Sequence, residues 1–598
     1  MEENKLSVVS KDLVENYLKQ NDWRVNENAN MAYSLQGLNN YIREEITKYY
    51  WMNYIYPKEV AEAHVDGRFH LHDSGSLSGY CMGLDLEDLL EVGFYAGQGK
   101  VRSSAPKHLR SALGQLVNLM YSASGEFAGA CAVSNLDTLM APFIYYDKLD
   151  KEGVMQVIQE FIYNMNVPTR VGFQSVFSNV TLDFTVPKHM ADKRVLIGGQ
   201  RLDKTYKEFQ KEMDLFNECF FEVMNSGDAD GRIFSFPIPT VNITKTFDWE
   251  NPRYKALWDN TAKYGQSYFC NYVSSDMDPA DAMSMCCRLR IDKRELKHKG
   301  GLFGANPLTG SVSVCTINFP RLGYLHKNDE AGFFKELDEV LQLAKIALET
   351  RRKYVEEHTA NGLYPILKYY LRKTYARFKE YWTNHFSTIG TLGMNECLLN
   401  MFGYGIGDPR GQAFAIKVMN HLRDKAVEFQ VETGHQYNIE QAPAESTSYR
   451  LAKIDKKKYP DIIVADNETV EKEGAAPFYT NSTQLPVNYT DDVFELLDNQ
   501  SDINALYTGG SVQHLYLGEK VKDINVMKDF IKTAFEQYSI PYISITPTFS
   551  ICPVHGYLTG EHKYCPHCKT EELHKINLEE ERLKALLDAD ADVGDKHD

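Results

Sequence analysis

Cys552-Pro-Val-His555 and Cys565-Pro-His-Cys568 put nitrogen and sulfur donors in two short knuckles, each with two residues between ligands. Zinc takes four such donors tetrahedrally, and two turns of this kind can surround the ion without a large core. The spacing predicts a structural zinc held by Cys552, His555, Cys565 and Cys568, with His562 or His567 as the alternative to His555. Four protein ligands leave no open coordination position, so hydrolysis at this metal is not expected.

A different kind of cysteine lies in Met285-Cys286-Cys287-Arg288. Adjacent cysteines rarely pair because the ring is strained, so at least one thiol is directed elsewhere. A buried cysteine is most often a small hydrophobe, and this segment alone leaves a catalytic thiol and a core thiol both open. Gly300-Gly301-Leu302-Phe303-Gly304 and Thr309-Gly310-Ser311 read as loops. They lack the Lys-Ser/Thr of a P-loop, so they are weak evidence for phosphate. Near the start, His64, His70, His72 and Asp73 could suggest a metal. On a strand, His70 and His72 would share one face while Asp73 pointed away, which favours a hydrogen-bonded structural cluster.

These groups need a scaffold. Leu337, Leu341, Ala344 and Leu348 recur at helical spacing, as do Leu109, Leu113, Leu116 and Met120. Ser313–Phe319 and Pro541–Thr546 are short apolar or β-branched runs that predict strands of a buried sheet. The mixture implies an α/β protein without giving its topology. A chain of 598 residues, 43% hydrophobic and 25% charged, has the composition of a globular protein with a sizeable core. Its net charge of -17 argues against coating nucleic acid, which needs a field of Lys and Arg. Small anionic ligands remain open to local cations and helix N-termini. The sequence shows no secretory signal and no apolar run of membrane-spanning length. Its 11 cysteines are then expected to be mostly thiols in a cytoplasmic setting. Composition shifts only after residue 568, into a Glu/Lys/Asp/Leu-rich tail in which Leu583, Leu586 and Leu587 could share a helix face; the last ten residues read as disordered.

Taken in order, these pieces resemble the anaerobic (class III) ribonucleotide reductases over about residues 12–568. The resemblance is carried by Glu15-Asn16-Tyr17-Leu18, Asp22-Trp23, the His64–Asp73 segment, Gly79-Tyr80-Cys81 and Lys107-His108-Leu109. It continues through Glu126–Ala130, Asn166–Arg170, Met285–Arg288, Thr309-Gly310-Ser311, Asn318 and Asn438–Glu445. Tyr479–Ser482, Gly509–His514 and Thr546–Cys552 complete it. No single motif is decisive; the ordered set is specific.

The resemblance implies a ten-stranded α/β barrel of two antiparallel five-stranded halves, surrounded by helices, with a central finger loop carrying a radical cysteine. It divides the chain into a reductase domain over 1–545 with an N-terminal helical region, zinc knuckles over 546–570 and a charged tail over 571–598. By position the radical cysteine is Cys287, whose thiyl form would take the ribose 3′ hydrogen. Cys81 would donate hydrogen from the other face as the 2′-hydroxyl leaves as water. Asn318 falls where the family places an amide that bonds substrate or reductant. Glu440, the preferred choice, or Glu445 would act as acid–base on the 3′-hydroxyl; helix capping or ion pairing is the plainer role for both. The implied substrates are ribonucleoside triphosphates. The reductant is formate, which Asn318 fits, or a thioredoxin-like dithiol. The family forms homodimers that bind a deoxynucleoside triphosphate or ATP specificity effector at the interface. Gln115 is a candidate contact for it and Lys148 a weaker one, against ordinary surface polarity.

Two departures stand out. The resemblance begins about a dozen residues in, leaving no room for the ATP-cone that gives overall control by dATP. The family's Arg-Val-x-Gly-Tyr loop, whose glycine becomes a radical through a radical S-adenosylmethionine activase, is not found after Cys568. The glycine there, Gly594, sits in Asp-Val-Gly-Asp-Lys, and Gly556-Tyr557 lies between the zinc ligands. The chain is therefore expected to carry no glycyl radical of its own. A small glycyl radical protein acting in trans, another radical donor, a truncation, and a non-catalytic nucleotide-binding homologue with a regulatory role all remain open. A lyase of the glycyl radical type is disfavoured by the His64–Asp73, Asn438–Glu445 and zinc segments.

Overall fold

The computed structural model describes residues 3–19, 33–274, 282–284, 290–292, 308–442, 444–517, 523–547, 549–552 and 556–559. The strands are β1 (Phe69–Leu71), β2 (Cys81–Gly83), β3 (Cys131–Val133), β4 (Ser178–Leu182), β5 (Arg194–Ile197) and β6 (Gln200–Thr205). They continue as β7 (Ile238–Thr244), β8 (Tyr268–Tyr272), β9 (Ala282–Ser284), β10 (Arg290–Asp292), β11 (Gly310–Asn318) and β12 (His385–Leu392). Last come β13 (Gln436–Glu440), β14 (Gln513–Leu517), β15 (Tyr542–Pro547), β16 (Phe549–Cys552) and β17 (Gly556–Thr559).

One 11-stranded sheet dominates, in the order β13-β12-β11-β2-β3-β4-β7-β8-β15-β14, with β1 added beside β11. From β2 to β8 the neighbours run parallel, as do β11 to β13 and β14 with β15. The two sets meet antiparallel at β2/β11 and at β8/β15. A parallel bridge between Glu440 and Gly510 then joins the two ends of the order, so the sheet returns on itself. Gly509 N–H donates to Ile439 O at 2.7 Å and Gln441 N–H to Gly510 O at 3.0 Å at this junction. A Cβ on Gly509 would lie 2.8 Å from Asn438 Cγ, so the close approach needs glycine there.

The expected strands are present with small shifts. Every residue of β11 and β12 is buried, as the continuous apolar runs predict for a parallel sheet covered on both faces. β11 ends at Asn318 because Phe319-Pro320 opens a helix, Phe319–Leu325, with proline in its first turn. Of Thr309-Gly310-Ser311, read as a loop, Gly310 and Ser311 instead begin β11: a Cβ on Gly310 would lie 2.1 Å from Cys81 O, so the glycine serves tight strand pairing.

The helical periodicities hold. Leu109–Ala123 buries Leu109, Leu113, Leu116 and Met120, and the long helix Glu330–Ala360 buries Leu337, Leu341, Ala344 and Leu348. Each such leucine contributes about 1.5–3 kcal/mol on burial. Two large apolar cores cover the outside of the two strand sets. Two small clusters lie apart from them: Cys81, Ala130, Ala132 and Phe386 in one, and Cys270, Tyr272, Val512 and Tyr542 in the other. Their residues alternate along the strands with those of the outer cores, which defines an inner face.

Candidate active site

Cys81 opens β2 at one antiparallel seam, with Ser311 as its Cα partner. The loop leading to it is held by Arg351, which projects from Glu330–Ala360 and donates to the carbonyls of His72 at 3.0 Å and Ser78 at 2.8 Å. Buried carbonyls of a loop need such partners. Gly129 makes room for the thiol, since a Cβ there would lie 2.7 Å from Cys81 Sγ. Ala130 N–H donates to Sγ at 3.4 Å. Burial pushes the thiol well above its ordinary range, and the negative charges of Glu440 and Asp73 push the same way; the Ala130 amide and Arg170 oppose them. The group therefore stays S–H at neutral pH. That makes it a poor nucleophile and suits it to give up a hydrogen atom.

Glu440 ends β13, fully buried, with Gly390 of β12 as its Cα partner. Its charge acts on Cys81, which brings the two residues to one region of the inner face although 359 positions separate them in sequence (440 less 81). Elsewhere on that face, Asn179 Nδ2 donates to Thr240 Oγ1 at 3.0 Å, and Thr240 Oγ1 lies 2.5 Å from the Tyr542 hydroxyl. His514 Nδ1 and Ser544 Oγ are 2.8 Å apart. Hydroxyl, amide and imidazole groups of this kind can bond a polar ligand such as a sugar.

Asn318 is not brought to this place. It lies seven residues beyond Ser311 on β11 (318 less 311), about 23 Å along a strand. Its Nδ2 donates to Gly67 O and to Asp455 Oδ2, both at 2.8 Å. Asp455 also accepts from Arg321 Nε at 2.7 Å and from the Tyr479 hydroxyl at 2.7 Å, so Asn318 belongs to a buried network anchoring the end of β11. Glu445 begins the helix Glu445–Lys458, and its side chain lies outside the described residues. Cys287 and the zinc ligands His555, Cys565 and Cys568 also lie outside them, as does the side chain of Cys552.

Gln115 sits in Leu109–Ala123 and donates to Ser104 O at 2.9 Å. Lys148 is exposed and left-handed at the end of Leu136–Asp147, one residue from Asp147, whose carboxylate caps Leu109 N–H at 2.7 Å. Asp147 thereby ties the end of Leu136–Asp147, where Lys148 sits, to the start of the helix that carries Gln115. The histidines are hydrogen-bonded: His64 Nδ1 accepts from Leu71 N–H at 3.1 Å, and His72 Nε2 lies 2.7 Å from Thr316 Oγ1. Among the described residues no group of three or more His, Cys, Asp or Glu is placed to hold a metal. Arg170 and Asp73 both act on Cys81; the sequence offered Asp73 only with the histidine cluster and gave Arg170 no role of its own. Only their place in quoted motifs hinted at them.

A model of the anaerobic ribonucleoside-triphosphate reductase family matches residues 27–577. The chain belongs to that family. Membership makes it an oxidoreductase and its reaction the anaerobic reduction of ribonucleotides. It is 24% identical to the anaerobic ribonucleoside-triphosphate reductase of Haemophilus influenzae, the match covering 93% of this chain and 79% of the relative. It is 22% identical to the enzyme of that name from Enterobacteria phage T4, over 94% of this chain and 93% of the other. The Thermotoga maritima anaerobic ribonucleotide reductase, solved in complex with dATP and CTP, superposes with a TM-score of 0.70 at 20% identity, over 94% of each chain. At that identity the likeness establishes the shared fold. No helix among the described residues is long and apolar enough to cross a membrane.

Proposed function

We propose that this reductase works through a thiyl radical on Cys287, with Cys81 as the second thiol and Glu440 as the base. The observation that carries the reading is that the buried Cys81 thiol, whose burial favours S–H, and the buried Glu440 carboxylate share the inner face of the sheet, with the charge of Glu440 acting on the thiol. Cys287 takes hydrogen from C3′ of a ribonucleoside triphosphate. Glu440 takes the 3′-hydroxyl proton, and Cys81 gives up its hydrogen as the 2′-hydroxyl departs as water. The reductant, formate or a thioredoxin-like dithiol, supplies the two electrons, and Cys287 returns hydrogen to C3′. Asn318 supports the fold in this reading and takes no step.

The initiating radical comes from a separate donor, for which a small glycyl radical protein, activated by a radical S-adenosylmethionine enzyme, is the first choice. Cys552, His555, Cys565 and Cys568 hold structural zinc. A homodimer places Gln115 and Lys148 at an effector site for a deoxynucleoside triphosphate or ATP. The test is anaerobic turnover of a labelled ribonucleoside triphosphate with a radical donor. Cys287→Ser is expected to abolish deoxynucleotide formation while nucleotide binding and zinc content persist. Continued turnover by that variant would remove the assigned radical carrier.

A further inference from the structure

Arg170 ends the Asn166-Val-Pro-Thr-Arg170 motif, in a turn closed by backbone bonds in both directions between Arg170 and Gln174. Asn166 anchors that turn: its Oδ1 accepts from Ser235 N–H at 3.0 Å and Phe236 N–H at 3.1 Å, and its Nδ2 donates to Phe236 O at 2.6 Å. Ser175 Oγ donates to Asn166 O at 2.7 Å. From this base Arg170 Nη2 donates to Ala128 O. That carbonyl belongs to the peptide joining Ala128 to Gly129, and Gly129 is the residue packed on Cys81 Sγ. The guanidinium therefore stands one peptide unit from the contact with the sulfur, and its charge acts on Cys81.

A guanidinium carries five N–H donors. Among the described residues it has Ala128 O as an acceptor, while its Nε is buried without one. Leaving a buried donor unmet is costly. Asp73 acts on the guanidinium electrostatically, but no ion pair between Arg170 and a carboxylate is present among the described residues. Burial disfavours the charged guanidinium, a cost that a bound anion offsets. Arg170 as a whole is only part-buried, so a small ion has an approach to it. Residues 128–130 are Ala-Gly-Ala, so no side chain larger than a methyl stands on the segment that joins guanidinium to sulfur.

We propose that Arg170 holds the carboxylate of formate beside Cys81. The inference rests on Cys81 being the second thiol of the proposed reaction, and it selects formate over a dithiol as the reductant. The two oxygens of a carboxylate match donors lying in the plane of a guanidinium, and the bonds are charge-assisted. Nε–H gives one of them and an Nη–H the other. A neutral dithiol offers the guanidinium no counter-charge. Formate supplies two electrons by becoming carbon dioxide and releasing a proton; at Arg170 itself no covalent bond forms or breaks. The phosphates of the substrate are the other anion at hand, and the experiment separates the two.

The experiment measures formate binding by the unaltered full-length chain, Arg170→Met, Arg170→Lys and Cys81→Ser, through saturation transfer to the formate proton in NMR, which needs no turnover. Triphosphate affinity is measured on the same samples, and KM for formate in anaerobic assays with a radical donor. Methionine keeps the stem and loses the charge; lysine keeps the charge and loses the planar fork. The unaltered chain is expected to bind formate. Arg170→Met should bind it at least about tenfold more weakly with triphosphate affinity within about twofold, and Arg170→Lys should fall between. KM for formate should rise in the same order, with kcat changed less. If Arg170→Met does not fold, Arg170→Lys decides. Absence of formate binding by the unaltered chain, unchanged formate affinity in the variants, or a matching loss of triphosphate affinity would each overturn the site. So would a fall in kcat with KM for formate unchanged, or turnover sustained by a dithiol and not by formate. An active Cys81→Ser beside formate binding that depends on Arg170 removes the thiol from the reaction and leaves the anion site. An inactive Cys81→Ser beside normal formate binding by Arg170→Met removes the anion site alone.

Discussion

Gly129→Ala tests whether the position of the Cys81 sulfur matters. Gly129 is absent from the left-handed residues, so an L side chain is acceptable to its backbone and the whole effect comes from contact. The added Cβ would meet Cys81 Sγ at 2.7 Å, Tyr80 O at 3.1 Å and Tyr80 Cε2 at 3.2 Å. Non-bonded heavy atoms settle at about 3.5–4.0 Å, so the sulfur must move by about 1 Å. That movement also breaks the 3.4 Å bond from Ala130 N–H. Overpacking of this size costs about 1–3 kcal/mol of stability. A misplacement of about 1 Å in a reacting group costs about a hundredfold in rate. Anaerobic turnover is therefore expected to fall about a hundredfold while triphosphate binding persists. Gly125→Ala is the control, because its added Cβ meets only Ser122 O, at 3.8 Å. If Gly129→Ala loses stability as calculated yet turns over like its parent, the sulfur of Cys81 is not the hydrogen donor.

Other perturbations follow from the same contacts. Glu126 Oε1 and Oε2 accept from Ile366 N–H at 3.0 Å and Leu367 N–H at 2.8 Å, and burial pushes its carboxyl from 4.5 up to about 7. A carboxyl raised on folding binds its proton more tightly when folded, so its contribution is full below about pH 4.5 and is lost as pH rises toward 7, by about 3 kcal/mol. Urea titrations of Glu126→Gln should show a flatter stability–pH curve than the parent over that window; parallel curves would refute it. Asn318→Ala should cost about 1–3 kcal/mol, because Asp455 loses a buried donor, while kcat for the folded protein stays near the parental value. Unchanged melting with lost turnover would return Asn318 to the chemistry. Metal analysis should find one zinc per chain, absent after Cys565→Ser with Cys568→Ser; retention of zinc by that pair would dismiss the knuckles as ligands.

Local information was readable along the chain. The helices Leu109–Ala123 and Glu330–Ala360 were visible because a 3.6-residue repeat of apolar side chains is written in consecutive positions. β11 and β15 were visible because a strand buried on both faces needs an unbroken run of apolar or small residues. Family membership was legible as an ordered set of short motifs, none informative alone.

What tertiary structure decided was which of those residues meet. Cys81 faces Ser311 because β2 pairs antiparallel with β11, and a register change of one residue would turn both side chains to the other face. Asn318 sits on the same strand as Ser311, yet strand length carries it out of reach of Cys81 and into the Asp455 network. Gly310 looked like a loop glycine; only the neighbouring strand shows that it is needed for close pairing. Composition and spacing name the groups able to exchange hydrogen atoms and protons. Their juxtaposition depends on pairings between strands hundreds of residues apart, set by burial across the whole sheet rather than by anything written beside each residue.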